Sequence, residues 1–164
     1  MAAARTKTAA FPKPHHDHKS CAADALRAAE ALCRERKSRL TDIRRDVLKM
    51  VWASHVPIGA YDILSRLNAG GGRVAPMAVY RALDFLMENG LVHRIASLNA
   101  FTGCALPGQH HLAQFLICHG CGNVAELEST DVKRALSRAV AERGFAVEGQ
   151  IVEISGLCPH CQAP

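Results

Sequence analysis

Four of the cysteines form two Cys-x-x-Cys pairs, and this spacing is the most specific chemical signal in the chain. The first pair is Cys118 and Cys121, and the second is Cys158 and Cys161. The turn inside such a pair brings its two sulfurs within about 4 Å of each other, and four thiolates arranged as a tetrahedron suit zinc. The spacing therefore predicts one closed structural zinc site made by both pairs.

Two other interpretations of the cysteine pairs stay open. The imidazole of His119 or His160 could replace one thiolate, or a single pair could carry out thiol–disulfide exchange. Exchange chemistry needs a thioredoxin-like βαβ context, which the sequence does not predict. The chain holds seven cysteines, an odd number, and no signal-peptide core follows its start, so we do not expect a disulfide framework.

A second group of metal-ligating residues has no local motif. His93, Cys104, His111 and Glu126 are spread over the second half of the chain. Each has an ordinary interpretation as a surface histidine, a non-ligating thiol or a strand carboxylate, and His110 is chemically equivalent to His111. Spacing alone therefore does not assign a second metal site.

Length and composition restrict the class of protein to which the chain can belong. The 164 residues fit one domain or two small ones, and a small unit with a thin core is helped by a metal or a partner chain. The net charge of +5 permits an anionic partner without identifying it. No apolar run reaches the length of a membrane span, so we expect a cytoplasmic protein.

At its N-terminus the chain is expected to have a tail followed by a helix. Residues 1–21 are predicted to be disordered and contain His15, His16 and His18. These imidazoles are either simply solvated or capture a soft divalent metal weakly. Between Ala22 and Glu35 the apolar residues recur at helical spacing, which predicts the first helix.

Three further helices are predicted from their capping residues and apolar patterns. Thr41 is a suitable N-cap for the second helix, and Pro57 and Gly59 separate it from the third. Pro76 fits the first position of the fourth helix and Gly90 fits its C′ position. The buried stripe of this fourth helix is predicted to contain Val79, Leu83, Leu86 and Met87.

The fourth helix and the segment after it predict a winged helix-turn-helix. The buried stripe turns Tyr80 and Arg81 outward. Two short strands, 91–95 and 100–102, flank a turn and form a hairpin. In such folds the recognition helix enters the major groove of DNA while the hairpin and other elements hold the backbone.

The C-terminal segment predicts a small α+β unit. Strands are expected at 115–117 and 124–127, a helix follows a cap at Ser129 or Thr130, and strand-like apolar residues occupy 145–154. The inward face of the helix is predicted to contain Val132, Ala135, Leu136, Ala139 and Val140. This apolar surface exceeds what so small a unit buries alone, so we expect the unit to dimerise.

We therefore expect a mixed α/β protein with two domains. The N-terminal winged helix-turn-helix domain would span 22–103 and a hinge would span 104–110. The zinc-stapled α+β dimerisation domain would span 111–164.

Several runs of residues together resemble the ferric uptake regulator superfamily, and within it the zinc uptake regulators. Residues 76–86 read PMAVYRALDFL, and residues 90–93 read GLVH. Residues 115–122 read FLICHGCG, and the segment 144–161 ends in EISGLCPHC. The resemblance is specific because the order, the spacing and both cysteine pairs agree over about residues 22–161.

The resemblance implies a homodimeric zinc-dependent repressor of zinc-uptake genes that binds a palindromic DNA operator and is not an enzyme. It implies a regulatory zinc site at His93, Cys104, His111 and Glu126, and hence two Zn²⁺ ions per chain. It also implies that Tyr80 contacts DNA and that Arg81 reads bases. Alternatives are a repressor of the same family that senses iron, manganese or peroxide, and a zinc-ribbon interaction module that does not bind DNA.

Some positions depart from the family pattern. Ala78 stands where the family often has Thr, and Asp42 stands where the second helix usually opens with Pro. His110 and His111 are followed by Leu-Ala-Gln, whereas iron regulators tend to carry more histidines there. This departure and the Cys104 thiolate both favour zinc over ferrous iron.

Overall fold

A computed structural model of the protein describes residues 11, 18–108 and 112–162. The chain divides into two compact units, which we name the helical unit (Pro12–His110) and the sheet unit (Met1–Phe11 with His111–Pro164). Most of the tail predicted for 1–21 lies outside the described residues, as do His110 and His111. Among the helices that are described, none has the length and apolar character to span a membrane.

The helical unit consists of helices followed by a hairpin. Its elements are α1 (His18–Glu35), α2 (Asp42–Trp52), α3 (Ala60–Ala69), α4 (Pro76–Glu88), β1 (Val92–Ile95) and β2 (Ala100–Gly103). The first helix begins at His18, four residues before the predicted start at Ala22, because no helix-breaking residue separates the two positions. The apolar pattern marks only the part of α1 that packs on the core.

The core of the helical unit contains Val79, Leu83 and Leu86 of the stripe predicted for α4, together with apolar residues of the other helices. Its cluster includes Val47 and Leu48 from α2, Ile63 from α3 and Leu83 from α4, all of them almost fully buried. A single apolar cluster therefore holds the four helices and the hairpin together.

The end of α4 shows why glycine occupies position 90. Gly90 adopts a positive φ of 66°, which L side chains rarely tolerate. The N–H of Leu91 then donates to the carbonyl of Leu86 at 2.9 Å and closes the helix. The chain leaves directly into β1, which pairs with β2 in antiparallel register from Val92–Gly103 to Ile95–Ala100. Together with α2–α4 this hairpin completes the predicted winged helix-turn-helix.

The sheet unit is a three-stranded sheet with one longer helix and one short one. Its elements are β3 (Ala113–Cys118), β4 (Val124–Glu126), α5 (Thr130–Ala141), β5 (Ile151–Gly156) and α6 (Pro159–Gln162). The strand order is β4-β3-β5, with β3 antiparallel to β4 and parallel to β5. Ser129 is the N-cap of α5, and its hydroxyl accepts a hydrogen bond from the Val132 N–H. The mixed fold class and its α+β C-terminal part are confirmed.

Two details of the sheet unit differ from the sequence prediction. The last strand begins only at Ile151, and Phe145, which was predicted to lie in it, is 70% exposed. The helix α5 buries none of its residues, and Ala135 and Ala139, predicted to face inward, are exposed. The spacing correctly marks an apolar face, but a single chain offers this face little to pack against.

Candidate functional site

The four paired cysteines meet at one edge of the three-stranded sheet. Cys118 is the last residue of β3 and pairs in register with Gly156, the last residue of β5. Because β3 and β5 are parallel, their carboxyl ends lie at the same edge, which brings Cys158 beside the first pair. The short helix α6 then carries Cys161, whose N–H donates to the carbonyl of Cys158 at 2.9 Å.

The geometry of these four thiols fits a tetrahedral metal site. Their sulfur atoms all lie within 4.8 Å of one another. The sulfurs of Cys121 and Cys158 are 3.8 Å apart. A tetrahedron with zinc–sulfur bonds of about 2.3 Å has sulfur–sulfur edges of about 3.8 Å. The four ligands predicted from the sequence are thus close enough to bind one zinc ion.

The backbone around the thiols is arranged to accept negative charge. The N–H of Cys158 donates to the Cys118 sulfur at 3.3 Å, and this contact is the largest of those that lower the pKa of Cys118 to about 6. Hydrogen bonding with the thiols of Cys158 and Cys118, followed by burial, raises the pKa of Cys161 to about 12. One thiolate forms readily, whereas four of them need a cation to balance their charge.

Close packing at the first cysteine turn explains its glycine. A Cβ atom added at Gly120 would lie 3.0 Å from Leu157 Cδ2 and 3.1 Å from the sulfur of Cys161. Glycine at this position therefore lets the two pairs approach each other.

In the helical unit the hairpin brings His93 and Cys104 together. His93 pairs in register with Thr102, so the residue two positions after Thr102, just past the end of β2, lies diagonally across the same face. That residue is Cys104, whose N–H donates to the carbonyl of Leu91 at 3.0 Å and whose side chain is 2% exposed. A ring nitrogen of His93 and the Cys104 sulfur lie within 4.8 Å of each other. An imidazole and a thiolate at this separation can chelate a single zinc ion.

The remaining candidates for the second metal site lie in the sheet unit. Glu126 is the last residue of β4, where it pairs in register with Phe115 and is half-buried. His111 and its chemical equivalent His110 lie outside the described residues.

The outer face of α4 presents the residues predicted to contact DNA. Tyr80 and Arg81 are both exposed, whereas Val79 and Leu83 on the opposite face are buried. A second exposed tyrosine, which was not predicted from the sequence, is Tyr61 near the start of α3, with 76% of its surface exposed. Tyr61 and Tyr80 line one cavity of about 330 Å³ between α3, α4 and the hairpin. The sequence offered one signal for this residue: an aromatic side chain at a helix position outside the apolar stripe.

Comparison with known proteins places this geometry in a family. A family model described as the ferric uptake regulator family matches residues 35–155, well over half of the chain. The chain belongs to the ferric uptake regulator family. The zinc uptake regulation protein of Escherichia coli (strain K12) is 37% identical over 144 residues, which cover 87% of this chain and 84% of that protein. The ferric uptake regulation protein of Bordetella parapertussis is 29% identical over 110 residues, or 64% of this chain and 75% of that protein.

Solved structures of family members agree with this assignment. A structure described as a zinc uptake regulator complexed with zinc and DNA is 35% identical, with a TM-score of 0.79 over 89% of this chain and 95% of that one. The crystal structure of holo XcZur is 41% identical, with a TM-score of 0.80 over 87% of this chain and 99% of that one. Both proteins are similar to this member of the family in sequence and in fold.

Proposed function

We propose that this member of the ferric uptake regulator family is a zinc-responsive repressor of zinc-uptake genes that acts in the cytoplasm. It would bind a palindromic operator as a homodimer that carries two zinc ions per chain. The observation that carries the proposal is the proximity of a His93 ring nitrogen and the Cys104 sulfur, within 4.8 Å of each other, in a winged helix whose α4 exposes Arg81. The likeness to zinc uptake regulators, one of them described in complex with zinc and DNA, supports the same function.

The first zinc ion would be structural. Cys118 and Cys121 would hold it from the end of β3, and Cys158 and Cys161 from the segment after β5. The 3.8 Å separation of the Cys121 and Cys158 sulfurs supports four thiolate ligands and disfavours an imidazole replacement. Such closed sites contribute directly to the stability of the fold.

The second zinc ion would be regulatory. We assign its ligands as His93 and Cys104 from the helical unit, with His111 and Glu126 from the sheet unit. When bound, zinc would supply a cross-link among donors from the wing, the hinge and the dimerisation domain. The domain limits that go with this assignment are 22–103, 104–110 and 111–164. The Cys104 thiolate favours zinc over ferrous iron or manganese, which prefer oxygen and nitrogen donors.

The DNA contacts would come from the exposed residues of α3 and α4. Arg81 would read a base pair in the major groove, and Tyr80 and Tyr61 would contact the DNA beside it. A homodimer would present two copies of α4 to the two halves of a palindrome. Its interface would cover the apolar residues that the single chain leaves exposed in the sheet unit, which include Phe145, Ile151 and Ile154.

Metal and DNA binding would be coupled through the same four ligands. Donors from both units fix the placement of the two copies of α4 in a dimer, and two readers held at the spacing of the grooves bind better than two that move independently. Because such coupling is reciprocal, DNA would also raise the affinity of the regulatory ligands for zinc.

The test combines metal analysis with DNA binding by the full chain. The zinc-loaded protein first selects an operator from a random duplex library, and binding to that duplex is then measured by fluorescence anisotropy at fixed salt. We expect about two zinc ions per chain, of which a mild chelator removes one together with operator binding. Selection of no duplex, or one zinc ion per chain with binding indifferent to added zinc, would overturn the proposal.

Two substitutions assign the regulatory ligands. Cys104→Ser should leave one zinc ion per chain and abolish the zinc-dependent part of operator binding. The matched control is Cys33→Ala, because Cys33 is a second buried thiol of the helical unit, 3% exposed, and is not proposed as a ligand. Glu126→Gln should weaken the response to zinc, with the exposed Glu128→Gln as its control. An undiminished zinc response in Cys104→Ser would sink the assignment. Titration with Fe²⁺ and Mn²⁺ at buffered concentrations then tests the metal preference.

A further inference from the structure

A pair of histidines in the helical unit lies away from both zinc sites proposed above. His18 is the first residue of α1, and His55 follows the end of α2. Two contacts show that α1 and α2 pack antiparallel. Arg45 of α2 donates a hydrogen bond to Glu30 of α1, and the ring of His55 contacts that of His18. The start of α1 is therefore placed beside the loop that joins α2 to α3.

The two rings are close enough for both imidazoles to bind one metal ion. Their centroids are 4.7 Å apart and their planes are inclined by 55°. Zinc–nitrogen bonds of about 2.0 Å at a tetrahedral angle place the centroids of two imidazole ligands about 5 Å apart. Parallel stacking is excluded by the inclination of the planes.

The environment of the rings is partly buried. The Nδ1 atom of His18 and the Nε2 atom of His55 are both shielded from solvent. Two interactions hold the loop that carries His55. The Ser54 hydroxyl accepts a hydrogen bond from the Val56 N–H, and Ile58 forms a β-bridge with Phe101. A fixed loop presents its imidazole at a defined position, which a metal site requires.

The candidate for a third ligand is the thiol of Cys21. Cys21 lies three residues after His18 on α1, so the two side chains share one face of the helix. Cys21 is partly exposed. Of the described residues, two groups bring three or more ligand atoms within 4.8 Å of one another, and His18, Cys21 and His55 are not among them. Recruiting the thiol therefore requires a change of the Cys21 rotamer.

We propose that His18, Cys21 and His55 form a third metal site, which takes a divalent cation of borderline softness such as Zn²⁺, Co²⁺ or Ni²⁺. Two imidazoles and one thiolate are ligands that these cations prefer, and water would complete the coordination. The bound ion would pin the first turn of α1 to the loop after α2. This site is independent of the regulatory function proposed above.

The experiment is a Co²⁺ titration of full-length protein whose other sites already hold zinc. We expect one further equivalent of Co²⁺ per chain, with the charge-transfer absorption of a cobalt–thiolate bond. Cys21→Ser should lose that absorption, and His55→Ala should lose the equivalent altogether. Cys33→Ala, which removes a buried thiol from the same helix, should change neither. Hydrogen exchange in the first turn of α1 should slow when the ion binds.

Further variants separate this site from the others. Cys104→Ser should retain the additional equivalent, because Cys104 is not one of its ligands. If His55→Ala does not fold, His18→Ala removes the other imidazole of the pair at an end of α1. The proposal would be overturned if His55→Ala kept the additional Co²⁺ ion and a His15→Ala/His16→Ala variant lost it. The ion would then be bound by the histidines of the N-terminal tail. The absence of any additional equivalent would also overturn the proposal.

Discussion

The helical unit and the sheet unit are stabilised by different means. In the helical unit one apolar cluster takes residues from all four helices and the hairpin, and eight of its larger side chains are almost fully buried: Val47, Leu48, Val51, Ile63, Val79, Leu83, Leu86 and Val92. In the sheet unit the buried apolar side chains are fewer, and Cys118 and Cys158 are among them. From this difference we expect the helical unit to fold on its apolar core, and the sheet unit to depend on the zinc ion proposed for its four thiolates.

The largest effect we expect is the loss of the sheet unit when a zinc thiolate is removed. Cys118→Ser takes one ligand from the site and a hydrogen-bond acceptor from the Cys158 N–H. Because structural zinc binding is coupled to folding, the amides of β3 and β5 should exchange at the rate of an unfolded chain. The amides of α4 should stay protected.

Hydrogen exchange followed by mass spectrometry measures both units in one sample. Cys33→Ala is the control, since it removes a thiol from the helical unit and should leave the zinc content unchanged. Continued protection of β3 in a zinc-free Cys118→Ser protein would show that the sheet unit folds without its metal.

A substitution in the apolar core of the helical unit should affect that unit alone. Leu83 of α4 is 1% exposed, and Leu83→Ala should lower the free energy of unfolding of this unit by about 2–5 kcal/mol through lost burial and a residual cavity. The structural zinc should remain bound. Met77→Ala on the exposed face of the same helix is the control, and it should change stability little.

Denaturant unfolding with simultaneous zinc analysis tests this second prediction. The two variants are compared at a denaturant concentration at which Met77→Ala keeps its structural zinc. If Leu83→Ala releases its structural zinc there, the stabilities of the two units are linked.

The same contrast explains how much the sequence could predict. The fold class, the helices of the helical unit and the buried stripe of α4 were predictable because each apolar pattern is satisfied within one chain. The inward face predicted for α5 was wrong for the single chain, because the pattern marks a surface to be buried but does not name the partner that buries it. The early start of α1 at His18 was missed because its first turn carries no core residue.

The candidate sites follow the same rule. Cys118, Cys121, Cys158 and Cys161 could be grouped from spacing, since each pair is local and parallel strands unite the pairs. The neighbours His93 and Cys104 could not, because only the register of the hairpin places them on one face. Tyr61 and the His18–His55 contact depend on packing between helices, which periodicity does not specify. For the regulatory site the resemblance to the family, and not the spacing, supplied the assignment.

A substitution on the exposed face of α4 should have a smaller effect, which changes DNA binding and leaves the stability of both units unchanged. If Arg81 makes the proposed bidentate contact with a base, Arg81→Ala should weaken binding to the selected operator by about 1–3 kcal/mol and relax the preference at that base pair. Zinc content and unfolding of either unit should not change, since Arg81 is exposed. Anisotropy titrations against the operator and single-base variants provide the measurement.

The control for this substitution is Arg27→Ala, which removes an exposed arginine that pairs with Asp24 on α1. A loss of affinity that is equal for all duplex sequences would assign Arg81 to the phosphate backbone instead of to a base.

The smallest effect concerns an ion pair of the helical unit that adds to its apolar core. Arg45 donates to Glu30, and this hydrogen bond, together with the positive charge, lowers the pKa of Glu30 below its ordinary value of 4.5. A carboxyl whose pKa is lower in the folded state stabilises the fold above its unfolded pKa, and the contribution is lost as the pH falls through the folded pKa. Glu30→Gln should therefore give a small, salt-sensitive decrease in Tm at pH 7, which shrinks in acid and disappears once the pH is below the folded-state pKa of Glu30. Asp46→Asn, which breaks the exposed pair with Lys49, is the control for a pair within one helix. A decrease that persists unchanged in acid would mean that Glu30 acts through packing and not through its charge.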